Sequence, residues 1–118
     1  MKQFTISVFG KEWRVLVGIR EELPPCIDGY AGYADFSIRQ IGLLEIRDSC
    51  DSHDLQDLLE RMKETLRHEI THAALFECGL RDNREYNHEQ IADWVCINVH
   101  YLHWLMLEAE KQLEEGAA

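Results

Sequence analysis

The chain has 118 residues and a mass of 13.8 kDa, the size of one domain with a modest core, and this leaves no room for a second folded domain. Hydrophobic residues make up 46% and charged residues 29% of the sequence, as in ordinary globular proteins, and no biased tract indicates disorder. The 12 basic and 22 acidic residues give a net charge of −10. This charge argues against nucleic acid or an anionic membrane as the main partner, because both bind basic surfaces.

The apolar runs of the sequence are short. The run FTISVF near the N-terminus is followed by a glycine and charged residues, so it predicts neither a signal peptide nor a membrane span. The four cysteines form no C-x-x-C pair, and they are expected to be free thiols and small core residues of a cytoplasmic protein. They are Cys26, Cys50, Cys78 and Cys96.

The first 47 residues predict four antiparallel strands. Phe4, Ile6 and Val8 alternate with polar residues, and a second alternation begins at Trp13 after a Gly10–Lys11 turn, which is typical of a β-hairpin. A loop rich in proline and glycine follows. The segment YADFSIRQIGLLEIR then predicts two more short strands.

From Asp51 onwards the apolar residues recur every three and four positions, which predicts a helix over residues 54–78 that ends at Gly79. After the polar connection LRDNREYN, a second helix is predicted over residues 85–115. The sequence therefore predicts an α+β fold. In it, a small antiparallel sheet of about four strands packs with two long helices in a single domain over residues 1–118.

The first helix carries the motif HEITH at residues 68–72. Two histidines four residues apart lie on one face of a helix, one turn apart, so both rings can reach the same cation. Zinc takes imidazole nitrogens in tetrahedral geometry, and the intervening Glu69 can deprotonate a water at an open position. On a helical wheel His68, Glu69 and His72 flank the apolar stripe, which indicates a site at the border of the core.

The second helix is apolar around most of its circumference, so it is expected to be buried. A narrow polar line runs along it and includes Glu89, Asp93, Cys96, His100 and His103. Buried carboxylates need a cation or a water-filled cleft. A cation held by the first helix would meet that need, with Glu89 as the third ligand and Asp93 accepting the free ring N–H of a ligating histidine.

The pattern H-E-x-x-H followed by E-x-x-x-D on the next helix resembles the gluzincin metallopeptidases, and in size the chain is similar to their minimal bacterial and phage-type members. The resemblance covers about residues 43–93. It implies that His68, His72 and Glu89 bind one zinc ion, that Glu69 is the general base, and that Asp93 orients a ligand. It also implies that the strand GLLEIR is the edge strand along which an extended substrate lies.

The chain departs from the gluzincin pattern in several ways. The spacing from His72 to Glu89 is short, and no second subdomain closes a cleft. No residue is clearly assigned to stabilise the tetrahedral oxyanion, for which Tyr86, His100 and His103 are the candidates. For His100, a hydrogen-bonded core histidine is the alternative interpretation. In the other zincin pattern Cys78 would stand at the third ligand position, but a continuous helix would turn it away from His72.

These observations favour a cytoplasmic zinc metallopeptidase that acts on a peptide or protein substrate and is active alone or with a protein partner that completes the site. The first alternative is a zinc-stabilised binding or regulatory module of the same fold, in which Glu69 is incidental. The second is a metal-free interaction domain whose histidines coincide by chance. The aromatic residues Trp94, Tyr101 and Trp104 could belong to the core or to a homodimer face.

Overall fold

The computed structural model describes residues 1–45, 58–80 and 88–115, with the backbone alone at positions 88, 89, 92 and 93. The predicted α+β class with four strands and two long helices is confirmed, while the predicted helical positions 54–57 and 85–87 lie outside the described residues. Two 3-10 helices, Arg20–Glu22 and Pro25–Ile27, lie between the second and third strands. The main elements are β1 (Lys2–Val8), β2 (Lys11–Gly18), β3 (Gly32–Asp35), β4 (Gln40–Leu44), α1 (Leu58–Glu77) and α2 (His88–Glu115).

The sheet is mixed, with the strand order β1-β2-β4-β3. The β1–β2 and β3–β4 pairs are antiparallel as predicted, but β2 and β4 run parallel, so the expectation of a fully antiparallel sheet is wrong at this pair. The reason is the path of the chain after β2. It passes through the two 3-10 helices to the far edge, forms β3 there, and returns between β3 and β2 in the direction of β2.

The segment GLLEIR begins within β4, which is an internal strand of the sheet. This corrects the expectation that the segment forms the edge strand along which a substrate lies. All five residues of Gln40–Leu44 are buried, because β4 has a partner strand on each side and side chains packed on both faces. The edges of the described sheet are β1 and β3. Any role as a substrate edge therefore belongs to one of those two strands.

The turn between β1 and β2 consists of Phe9 and Gly10, one residue earlier than expected. Both residues have positive φ, 48° and 83°, as in the type I′ turns that match the twist of a hairpin. The Phe9 ring stacks on Tyr101 of α2 with ring centroids 4.6 Å apart, and the Phe9 N–H donates to the Tyr101 hydroxyl at 2.7 Å. These contacts compensate for the unfavourable backbone of Phe9.

The main core lies between one face of the sheet and the two helices. Alternate residues of the strands point to this face, and the apolar stripe predicted for α1 packs against them, as Leu66, Ile70 and Ala73 are fully buried. A smaller cluster of Leu16, Leu23, Ile27 and Leu44 covers part of the other face. The residues of the main core from the strands are Ile6, Val8, Trp13, Val15, Val17, Ile41 and Leu43.

The helix α1 ends where predicted. Gly79 has φ of 79°, and its N–H donates to the Phe76 carbonyl at 2.9 Å while the Leu80 N–H donates to the Leu75 carbonyl at 2.9 Å. This is a Schellman motif, in which glycine adopts the left-handed conformation without a Cβ clash. Neither described helix combines the length and the apolar content that crossing a bilayer requires.

The helix α2 is buried only along its C-terminal half, where Leu102, Leu105, Ala109 and Leu113 enter the core. Upstream of these residues Ile91, Val95, Ile97 and Val99 are exposed, up to 79% for Ile97, while Trp94 and Tyr101 are partly buried against the core. The expectation that the whole helix is buried is therefore wrong. The reason is packing: the buried residues of α2 lie in its C-terminal half, and the described ion pairs with α1 also come from that half, from Glu110 and Glu114.

Candidate metal centre

The histidines of the HEITH motif lie together on one face of α1, as predicted. The Nε2 atoms of His68 and His72 are 3.1 Å apart, and both rings are exposed to solvent. Glu69 lies beside them, and the possible ligand atoms of the three residues are all within 4.8 Å of one another. Among the described residues this is the group of histidine, cysteine and acidic side chains that could hold a metal ion.

The spacing of the two rings fits zinc. Two nitrogens at about 2.0–2.1 Å from a tetrahedral zinc ion are about 3.3 Å apart, which is close to the observed Nε2–Nε2 distance. Without a metal, one ring can donate its N–H to the other at this distance. The pair can therefore supply two zinc ligands without moving the helix.

Glu69 points from the same helix towards the sheet, and it is a buried carboxylate with only 6% of its surface exposed. The neighbouring position of β3 is Gly32, where a Cβ would lie 2.8 Å from Thr65 Cγ2 and in ordinary contact, at 3.4 Å, with Glu69 Cγ. Burial raises the pKa of Glu69, and the nearby His68 opposes this rise. A raised pKa brings the carboxyl closer to the range in which a general base works well at neutral pH.

The pKa of the His72 ring is lowered, which favours its neutral form. Burial lowers its pKa, and the neighbouring His68 lowers it further. Metal ligation requires neutral imidazole, so protonation competes less with zinc at His72 than at an ordinary histidine. The local electrostatics therefore favour metal binding.

An open groove of about 1160 Å³ runs along the exposed face of α1 and the outer edge of β3. The Leu44 N–H donates to the Ala31 carbonyl at 2.9 Å. In an antiparallel pair every second residue forms backbone hydrogen bonds with the partner strand. The backbone of Tyr33 therefore also hydrogen-bonds to β4, whereas the N–H and C=O groups of Gly32 and Ala34 point outwards. No described strand pairs with this edge. Among the described residues, a row of outward-facing backbone groups thus borders the groove that the two histidines also line.

The opposite edge of the sheet is covered. The outward carbonyls of β1 accept hydrogen bonds from α2: Gln112 Nε2 donates to Thr5 at 3.2 Å, and the Tyr101 hydroxyl donates to Ser7 at 3.1 Å. Of the two edges of the described sheet, β3 is therefore the one open to an added strand. It is also the one beside Glu69.

The contributions of α2 to the metal site remain predictions. Glu89 and Asp93 lie in the first two turns of α2, but their side chains are outside the described part, and Tyr86 lies outside it entirely. The described ion pairs between the helices are Lys63–Glu114 and Arg67–Glu110, the latter at 2.8 Å. They join the C-terminal half of α2 to a side of α1 that lies about 100–180° around the axis from the histidines.

The described remainder of the polar line on α2 faces solvent. His100 and His103 are exposed and do not belong to the possible metal group, so the interpretation of His100 as a core histidine is wrong. Cys26, Cys78 and Cys96 are free as expected, but all three are exposed rather than in the core. Cys78 is in the turn after α1 and outside the metal group, while Cys50 lies outside the described residues.

Two features of the site were missed in the sequence. The first is the edge strand β3, whose segment GYAD is too short and too mixed in character to indicate its position in the sheet. The second is a line on α1 formed by Arg61, Thr65, His68 and His72, all of which line the groove. Their spacing of four, three and four residues places them on one helical face, and this signal could be read from the sequence.

Comparisons of the chain with family models, with curated proteins and with solved structures gave no match.

Proposed function

We propose that the protein is a zinc-dependent metallopeptidase that binds one zinc ion per chain through His68 and His72, with Glu89 as the predicted third ligand. The observation that carries this proposal is the histidine pair, with its nitrogens 3.1 Å apart, beside the buried carboxylate of Glu69. Zinc in such a site supplies a Lewis acid that polarises a carbonyl and lowers the pKa of a bound water. A site of three protein ligands keeps one position open for this chemistry.

Glu69 and Asp93 each have a defined task in this proposal. The Glu69 carboxylate accepts a proton from the attacking water and later donates it to the nitrogen of the leaving amine. Its raised pKa suits both steps, because the group must gain and lose a proton within one reaction cycle. Asp93 is proposed to accept the free ring N–H of one histidine and so to fix its orientation.

The open edge of β3 supports a peptide as the substrate. An extended peptide can add to the N–H and C=O groups of Gly32 and Ala34 as a further strand. Because Gly32 lies beside Thr65 and Glu69, a peptide on this edge passes next to the proposed base. A carbonyl of that peptide can then approach the open side of the histidine pair.

Zinc content and hydrolysis test the proposal together. Elemental analysis of untagged protein should give about one zinc per chain, and His72→Ala should lose it. The zinc-loaded wild type should cleave unfolded casein, whereas Glu69→Gln should keep its zinc and lose hydrolysis by about a hundredfold or more. Exposed Glu108 on α2 provides the control, since Glu108→Gln should keep both.

The outcomes separate the alternatives. Zinc bound with no hydrolysis of any peptide substrate would support the zinc-stabilised binding module instead. Hydrolysis that survives Glu69→Gln would show that Glu69 is not the base. The absence of zinc from the wild type, even after refolding with the metal, would overturn the assignment of His68 and His72 as ligands.

A further inference from the structure

The helix α2 carries a stripe of exposed residues on the side opposite the core. At about 100° per residue, the members of this outer stripe lie within about 40° of one line, roughly 160° around the axis from the buried residues. They recur at alternating intervals of three and four, which is the a and d spacing of a heptad by which one helix packs on another. The members of the outer stripe are Ile97, His100, Trp104, Leu107 and Lys111.

Large apolar side chains make up most of the outer stripe. Ile97 is 79% exposed, Trp104 55% and Leu107 52%. The other two aromatic residues of α2, Trp94 and Tyr101, are partly buried against the core. Single exposed apolar residues are normal on a soluble protein, but a row of them along one helical face is typical of an interaction surface.

The ring of Trp104 is held by its neighbours. It packs beside Tyr101 with ring centroids 6.0 Å apart. Tyr101 is itself fixed, because its ring stacks on Phe9 and its hydroxyl donates to the Ser7 carbonyl at 3.1 Å. A tryptophan that is already ordered loses little side-chain entropy on binding, and tryptophan is one of the residues that dominate the energy of interfaces.

We propose that the outer stripe binds the outer stripe of a second copy of the chain, with the two α2 helices antiparallel. In an antiparallel pair the a positions of one helix meet the d positions of the other. A twofold axis at the level of residue 102 then pairs Ile97 with Leu107 of the second copy, and Trp104 with His100 of the second copy. Aliphatic meets aliphatic and ring meets ring, so the stripe is complementary to itself, as a twofold interface requires.

The charges of α2 favour the antiparallel direction. Residues 108–115 carry four glutamates and one lysine, whereas residues 94–103 carry no aspartate, glutamate, lysine or arginine. A parallel pair would place the two acidic segments side by side, where like charges oppose association. In the antiparallel pair each acidic segment lies beside the segment without acidic residues, and the dipoles of the two helices are opposed.

The contact is a small one. Ile97 and Leu107 are about 15 Å apart along the axis, which is at the low end of specific interfaces, and we expect a Kd on the order of 10–100 μM. Each copy carries a net charge of −10, so the two copies repel each other at long range. Because salt screens this repulsion, raising NaCl from about 0.05 M to about 0.5 M should strengthen the association. Weaker association at high salt would overturn an apolar contact.

Sedimentation velocity of the full chain tests the proposal. Between about 5 and about 500 μM, in the presence of a chelator, the wild type should shift from 13.8 kDa to twice that mass. Trp104→Glu should raise the Kd at least tenfold. The matched control is Val95→Glu, which places the same acid at another exposed apolar position of α2, about 160° around the axis from the outer stripe. It should associate like the wild type.

Mixing two variants tests the direction of the helices. Ile97→Lys and Leu107→Glu should each weaken self-association. An equimolar mixture should recover a dimer, because the antiparallel pair places the new lysine opposite the new glutamate. A parallel pair would leave both charges opposite apolar side chains, so a mixture no stronger than the single variants would overturn the antiparallel arrangement.

Two further outcomes would overturn the proposal. One is a wild type that stays monomeric over the whole concentration range. The other is a loss of association in Val95→Glu but not in Trp104→Glu, which would place the contact on another side of α2. Circular dichroism and thermal unfolding of the dilute variants confirm that each is folded. A variant that fails this check is replaced by Leu107→Glu, for which the same loss is expected.

The association does not depend on the proposed peptidase function. The measurement is made with a chelator, and Glu69→Gln and His72→Ala should associate like the wild type. A dimer that forms without any zinc binding or hydrolysis would sustain this inference and leave the peptidase without support. Hydrolysis by a chain that is monomeric at every concentration would do the reverse.

Discussion

Glu69 places a carboxylate where a neutral side chain would make the metal-free fold more stable. The group is 6% exposed, and burial raises its pKa above the ordinary value of 4.5. An acid with a raised pKa in the folded state binds more protons there than in the unfolded state. The free energy of unfolding therefore falls as the pH rises from 4.5 through the folded pKa, and at neutral pH the ionised Glu69 lowers the stability of the metal-free protein.

Replacing this carboxyl by an amide should therefore stabilise the metal-free protein in a pH-dependent way. Glu69→Gln should raise the free energy of unfolding by about 1 kcal/mol at pH 7, the scale of an unfavourably buried polar group, and have little effect near pH 4. Urea unfolding in the presence of a chelator measures this. Glu64→Gln, at an exposed position of the same helix, should change little at either pH. An equal gain at both pH values would assign the effect to packing rather than to charge.

At the scale of elements, the proposed metal site needs both helices, since α1 would supply two ligands and α2 the third. Two ligands on one rigid helix fix half of a tetrahedral shell, but a catalytic site needs a third. We expect Glu89→Ala to weaken zinc binding about tenfold to a hundredfold, measured by competition with a chelator, while Glu108→Ala leaves it unchanged.

Unchanged zinc affinity in Glu89→Ala would contradict the predicted ligand. It would agree with the described packing, in which α2 is one helix from His88 to Glu115 and its first turns lie about 30 Å along the axis from the Arg67–Glu110 pair. The third ligand would then have to come from elsewhere in the chain.

The hairpin of β3 and β4 holds the open edge in place through a close contact between a ring and a glycine. A Cβ on Gly42 would overlap the ring of Tyr33, whose hydroxyl accepts a hydrogen bond from Gln40 at 2.7 Å. Gly42→Ala should therefore lower the free energy of unfolding by about 1–3 kcal/mol. In a Tyr33→Ala background the same change should cost much less, and a double-mutant cycle measures the difference. Additive effects would show that the ring does not cause the loss.

The comparison of the β-strands with the sequence shows what a local pattern determines and what it does not. Alternation predicted the hairpin of β1 and β2 because a short turn joins neighbouring strands. It could not determine the partner of β4, since strand pairing depends on the route of the chain after β2. The nearly continuous apolar run from Ile41 to Leu44 is the signal that β4 is internal, because a strand buried on both faces loses its alternation.

The candidate site was predictable to the extent that it lies on one helix. The spacing of His68 and His72 alone places both rings on one face, and the border of the apolar stripe placed Glu69 beside the core. The contribution of β3 depends on contacts far apart in the sequence, such as Gly32 with Thr65. No local period carries that information, so the groove becomes visible only in the folded chain.

At the scale of the whole molecule, the two edges of the described sheet differ in whether another element covers them. Side chains of α2 bond to the outward groups of β1, which protects this edge from pairing with another chain. In the described part of the chain no strand pairs with the edge of β3, which borders the groove beside the histidines. The second helix therefore covers one edge of the sheet, and among the described residues the other edge has no partner strand.

Zinc that binds the folded chain but not the unfolded chain must stabilise the whole molecule. At a free zinc concentration of 100 times the Kd, the stabilisation is about 2.7 kcal/mol, which corresponds to a rise in Tm of about 10 °C for a chain of this length. The rise should shrink at pH 5, because metal ligation requires neutral imidazole and protons then compete with zinc. Thermal unfolding with and without zinc measures it.

The matched control for this shift is another histidine of the same chain. His72→Ala should abolish the zinc-dependent rise in Tm, while His100→Ala, on the exposed side of α2, should retain it. Because both variants lose one imidazole, the comparison removes any general effect of histidine on zinc binding. A rise that persists in the His68→Ala, His72→Ala double variant would place the zinc at other groups, of which the exposed thiols of Cys26, Cys78 and Cys96 are the first to test.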